Sequence, residues 1–90
     1  MRLVFKCEED STEVYEMQDN DNIAVARIRI YHDIRMLAVF FLDFSDKVKE
    51  YIFPLIRMFK DDLNINGYKL DPGYYAYDIY AARYNTDIIE

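Results

Sequence analysis

Residues 34–44 read I-R-M-L-A-V-F-F-L-D-F, and residues 36–42 within them form an unbroken apolar run of seven. A membrane span needs about 20 apolar residues, so this run is too short to be one. It is rich in β-branched and aromatic types and is closed by Arg35 and Asp43, which makes it a strand. Alternation puts Met36, Ala38, Phe40, Leu42 and Phe44 on one face and Leu37, Val39 and Phe41 on the other. Both faces are apolar at the centre, so the strand is expected inside a sheet covered on both sides. The rest of the chain supplies what pairs with it and what covers it.

Upstream, residues 23–31 carry Ala24, Ala26, Ile28 and Ile30 on one face and Arg27 and Arg29 on the other, a second strand. Only His32 and Asp33 separate it from the first, a spacing suited to a tight antiparallel hairpin. Residues 2–7 alternate strictly, with Leu3, Phe5 and Cys7 facing one way and Arg2, Val4 and Lys6 the other, which predicts a half-buried strand.

Downstream, Ser45 is a good N-cap and Asp46 sits in the first turn of a helix expected over residues 46–63. Val48, Ile52, Leu55, Phe59 and Leu63 follow a three-to-four spacing, and Tyr51 and Ile56 widen the stripe. Pro54 removes one backbone bond and predicts a kink. Asn64 or Gly67, in the left-handed region, stops the helix before a brief strand over residues 68–70. Asp71-Pro72 then opens either a helix ending near Asn85 or a type II turn into a tyrosine-rich strand; the alanines at 76, 81 and 82 favour the helix.

The 90 residues carry 17 acids and 11 bases, a net charge of −6. The imbalance is local: residues 8–21 hold seven acids (Glu8, Glu9, Asp10, Glu13, Glu16, Asp19 and Asp21) and no base. Asp10-Ser-Thr-Glu13 forms a capping box that would start a short helix over residues 10–18; the alternative is a loop carrying a short strand over residues 13–17. Asp19-Asn-Asp-Asn22 opens like a calcium loop, but Ile23 and the missing central glycine leave it a polar turn. The expected fold is a single α+β domain over residues 1–90, a two-layer antiparallel sheet with a long helix (residues 46–63) packed on one face. Strand, short helix, strand, strand, long helix, strand is the order of the ferredoxin-like split βαβ fold.

Chemistry-bearing residues are few. One His, one Cys and two Ser leave little material for a Ser–His–acid or Cys–His arrangement. His32 beside Asp33 reads as a hairpin tip and Cys7 as a small core residue. Zinc-ligand spacings and phosphate-cradling glycine loops are absent, and Asp61-Asp62 reads as a solvated helix end. RNA-recognition motifs share the expected element order, but their basic, glycine-paired aromatic signature is missing from residues 35–41. Acetyltransferases carry a Gly-rich turn before their long helix, where this chain has Asp43-Phe-Ser-Asp. No cofactor and no metal is expected, and the chain is not expected to be an enzyme.

What stands out is the acidic block together with Tyr74, Tyr75 and Tyr77. Carboxylates engage Lys and Arg, and rigid aromatics anchor a contact. The expected function is a protein-binding module, an acidic inhibitor or nucleic-acid mimic occupying a basic surface, including that of a nucleic-acid-handling protein. Direct binding to nucleic acid or to a membrane is opposed by the charge. In size and charge the chain is similar to phage-encoded anti-restriction and anti-CRISPR proteins. The alternatives are a small oligomer-forming structural or adaptor subunit and a small enzyme of degenerate acetyltransferase-like or other type. A homodimer is expected if residues 74–85 extend the sheet as a strand, and a monomer if they pack across it as a helix. The start M-R-L-V-F-K-C has three consecutive apolar residues, short of a signal peptide, so a cytoplasmic location is expected, the host's if the protein is phage-encoded.

Overall fold

A computed structural model describes residues 1–9, 12–43, 45–70 and 88–90, with only the backbone described for Cys7, Glu8, Glu9 and Lys49. The elements are β1 (Arg2–Glu9), β2 (Thr12–Gln18), β3 (Ala24–Tyr31), β4 (Met36–Phe41), α1 (Asp46–Met58) and β5 (Lys69–Leu70). They form an α+β domain with one five-stranded sheet in the order β1-β2-β3-β4-β5. The first four strands are antiparallel neighbours, while β5 runs parallel to β4 through the register Met36↔Lys69 and Leu37↔Leu70. The sheet is therefore mixed rather than antiparallel throughout.

Three expectations need correction. Residues 12–18 are strand β2, paired with β1 and β3, so no helix forms over these residues, and the alternative of a short strand over 13–17 is the one that holds, one residue longer at each end. Thr12, Val14 and Tyr15 are β-formers that gain more from sheet pairing than the capping box offers. The split βαβ order, which needs a helix between the first two strands, is accordingly not confirmed. The helix is 13 residues long and ends at Met58 instead of Leu63. Asp61 and Asp62 would place negative charge at its C-terminus, against the helix dipole, and the chain continues there as turns. Asn64 (φ 56°) and Gly67 (φ 80°) both take the left-handed conformation.

The organising strand is in place. β4 pairs with β3 from Ala26↔Phe41 to Tyr31↔Met36, and a turn over residues 32–35, with Arg35 at φ 55°, closes the hairpin. Leu37, Val39 and Phe41 join Ile28, Ile30, Ala26 and Met17 in the core beneath Val48, Ile52, Phe53 and Ile56 of α1. Phe41 and Phe53 meet edge to face with ring centroids 6.1 Å apart. Leu63, Ile65, Tyr68, Leu70 and Ile89 close the same core. Each such side chain contributes about 1.5–3 kcal/mol on burial. The opposite face of β4 is buried at Ala38 and half-buried at Met36 and Phe40, with the Arg29 guanidinium 5.6 Å from the Phe40 ring centre.

The helix is turned relative to its predicted stripe. Phe53 is fully buried while Tyr51 is 53% exposed. At 100° per residue, the buried set of Val48, Ile52, Phe53 and Ile56 is centred about 50° from the expected stripe. A phenyl ring loses nothing by burial, whereas a buried tyrosine hydroxyl needs a partner. Ser45 caps the helix as expected: its Oγ accepts from the Val48 N–H at 3.4 Å.

Candidate functional site

Strand β2 distributes the acidic block instead of gathering it. Glu13 and Glu16 point to opposite faces of the sheet by their spacing. Glu16 is only 8% exposed; it accepts from Gln18 Nε2 at 3.0 Å and meets Lys6 Nζ at 3.7 Å. Glu13 Oε2 lies 3.1 Å from His32 Nε2 and accepts from the Tyr15 hydroxyl at 3.4 Å. Asp19 Oδ1 accepts the N–H groups of Asp21 and Ile23, both at 2.9 Å, which fixes the polar turn after β2. Six residues of nearly extended chain separate Glu13 from Asp19, about 20 Å, so the two stand at opposite ends of the sheet. Glu8 and Glu9 lie on the β1 backbone opposite Glu13 and Thr12, at the Glu13 end. Asp21 is exposed beside Asp19. Asp10, Tyr74, Tyr75, Tyr77 and the helix-or-strand alternative for residues 74–85 lie outside the described residues.

A polar chain spans the Glu13 end. His32 Nδ1 is 2.8 Å from the Tyr68 hydroxyl, so the imidazole links Glu13 on β2 to Tyr68 beside β5. Asp33, its neighbour in sequence, instead accepts the Ile34 N–H at 3.0 Å. Arg35 packs over the Tyr68 ring at 5.4 Å and donates to the Asn66 carbonyl at 3.0 Å. A carboxylate that orients an imidazole toward a hydroxyl is the arrangement of a nucleophilic triad. Here, however, the hydroxyl belongs to a buried tyrosine, 7% exposed, and the imidazole supplies the partner that burial requires. The chain ties three parts of the sheet together.

The other end carries a groove of about 370 Å³. Met1, Val25 on β3, and Val48, Tyr51 and Leu55 on α1 form its apolar wall. Asp19 and Asn20 from the turn after β2, with Asp43, Ser45 and Lys47 from the start of α1, supply its polar rim. Antiparallel alternation brings these segments together, because the end of β2 and the end of β4 fall on the same side of the sheet. The link is direct: the N–H groups of Leu42 and Asp43 both donate to the Val25 carbonyl, at 2.9 and 3.0 Å. Asp43 Oδ1 accepts the Ser45 N–H at 2.8 Å. Each rim carboxylate thus uses one oxygen on backbone, and neither forms an ion pair among the described residues.

Asp19 and the Ser45 cap are each legible in the sequence, but not as members of one site. Strand-by-strand alternation was the signal that would have joined them. The Glu13–His32–Tyr68 chain left no comparable signal, since its members are far apart in sequence and only pairing register unites them.

Among the described residues no group of three or more His, Cys, Asp or Glu is placed to hold a metal ion. No helix among them is long and apolar enough to cross a membrane. No protein-family model matches the chain, and no curated protein or solved structure shows a significant likeness to it.

Proposed function

We propose that this protein is a non-enzymatic binding module that occupies a basic surface of a partner protein, as an acidic inhibitor or nucleic-acid mimic does. One observation carries the reading: Asp19, Asp21, Asp43 and Asp46 collect on the segments that join at one end of the sheet, three of them exposed and none in an ion pair among the described residues. Carboxylates held by backbone N–H groups present fixed negative charge, which steers a basic partner and discriminates against acidic ones. Glu8 and Glu9 add further acidic residues at the end of β1, opposite Glu13 and Thr12. Such a protein acts in the cytoplasm, the host's if it is phage-encoded.

The test changes Asp19, Asp21, Asp43 and Asp46 together to Asn, which keeps the oxygen acceptors of the turn and removes four charges. Partners captured from the source cells by the wild-type protein should be lost with the variant, at high salt, and on adding duplex DNA. Capture that survives all three overturns the proposal.

A second reading, an oligomer-forming subunit, is favoured by β1. Among the described residues that strand pairs on one side only, and Phe5 beside its outer edge is 51% exposed. An unpaired edge can add a strand from a second copy. Sedimentation that stays monomeric at every concentration would remove it.

A further inference from the structure

We infer that the groove between the turn after β2 and the start of α1 is an anchor site for one apolar side chain, Leu, Met or Phe, flanked by Lys or Arg on a partner protein. The inference rests on the binding reading above and names what the partner must bring.

The groove's size sets the first limit. At about 370 Å³ it lies at the low end of the range for ligand sites, about 300–1,000 Å³, enough for one large side chain. Its wall sets the chemistry of the centre. Val25 and Val48 form a buried apolar floor, and Leu55 is half-buried beside them. Tyr51, half-exposed at the mouth, is the rigid amphipathic type enriched where binding energy concentrates. The rim sets the flanks. Asp19 and Asp43 stand on separate segments of the rim, each locked by backbone N–H groups, so a cation meeting them need not first order a flexible side chain. Lys47 and the amino group of Met1 balance the two carboxylates of the lining, and the exposed Asp21 and Asp46, next in sequence to the lining residues Asn20, Ser45 and Lys47, tip the rim's surround to negative. An apolar centre with acidic flanks is the complement of a basic segment with one apolar residue in it.

The probe is the capped tripeptide Lys-Leu-Lys, titrated into the full chain and followed by the NMR signals of the Val25, Val48 and Leu55 methyls and the Tyr51 ring. Capped Glu-Leu-Glu and Lys-Ser-Lys serve as controls for the flanks and the centre. Lys-Leu-Lys should shift the groove signals, and both controls should bind at least about three-fold more weakly. Asp19→Asn/Asp43→Asn should weaken Lys-Leu-Lys by about three- to ten-fold, the scale of two exposed ion pairs. The variant's own spectrum shows whether it is folded, and Tyr51→Ala, at an exposed position, gives an independent loss. Equal binding of Glu-Leu-Glu, shifts confined to another surface, or no shifts in the millimolar range would overturn the anchor. So would self-association of the chain that Met58→Asp abolishes, since the exposed Met58 of a second copy would then be the occupant. If the four-Asn variant loses its captured partner but the tripeptide leaves the groove untouched, the acidic surface stands and the anchor falls. If the tripeptide binds while capture is unaffected by charge, the anchor stands and the broader reading falls.

Discussion

Phe53→Ala should be the most damaging truncation on α1, and Tyr51→Ala on the same turn nearly harmless. The two positions invert the order that helical periodicity alone suggests. Phe53 is fully buried and meets Phe41 edge to face, whereas Tyr51 is 53% exposed. Removing a buried phenyl costs about 3–5 kcal/mol, combining lost transfer energy with the cavity left behind. A domain of this length has roughly 5–14 kcal/mol in total, so the variant gives up about a fifth of its stability or more. At roughly 4–8 °C per kcal/mol, the melting temperature should fall by roughly 12–40 °C. Tyr51→Ala should cost about 1 kcal/mol or less, as expected of a half-exposed position. Urea unfolding followed by circular dichroism measures both. A Tyr51→Ala loss equal to or greater than that of Phe53→Ala would show that the helix packs by its predicted stripe, and the core described above would be wrong.

Val39→Asp should abolish folding, because it places an unpaired carboxylate where nothing is exposed, while Phe40→Asp should remain soluble with a lowered melting curve, its carboxylate lying near the Arg29 guanidinium; comparing soluble yield and thermal melts tests both. His32→Ala leaves the buried Tyr68 hydroxyl without its nitrogen partner and should shift the urea midpoint by the equivalent of about 1–3 kcal/mol, whereas Asp33→Ala should move it far less. Gly67→Ala should cost about 1–2 kcal/mol, since Gly67 has φ 80° and an added Cβ would lie 2.9 Å from an Arg35 guanidinium nitrogen; an unchanged midpoint would argue against that backbone conformation.

Much of the fold was legible in short-range pattern. The apolar run at 36–42, the alternation at 24–31 and the Ser45 cap each involve residues close in sequence, and each appears where the pattern places it. The readings that failed depended on tertiary competition. Residues 12–18 carry both a capping-box signature and β-forming side chains, and the choice was made by two neighbouring strands that local pattern does not include. The face of α1 turned toward Phe53 because a buried ring is cheaper than a buried phenol, a preference that a hydrophobic stripe counts equally. Of the acidic block, composition could register the charge but not its division: one strand period sends Glu13 to His32 and Glu16 to Lys6, and leaves Asp19 and Asp21 at the far turn. Asp43 entered the site only through the Val25 carbonyl that holds its backbone.

Among the described residues, β1 to β4 pair in sequence order, each with its neighbour in the chain, so this part of the sheet can form by successive hairpins that close short loops. The partner of β4 on its other side is different: Lys69 must find Met36 across the whole of α1, and Ile89 must then settle against Tyr68. Short closures precede long ones when chain entropy sets the order, so the meander should be structured in the folding transition state and the β5 side should dock afterwards. Conservative truncations at Ile28 or Val39 should therefore slow folding, while the same changes at Leu70 or Ile89 should speed unfolding and leave the folding rate almost untouched.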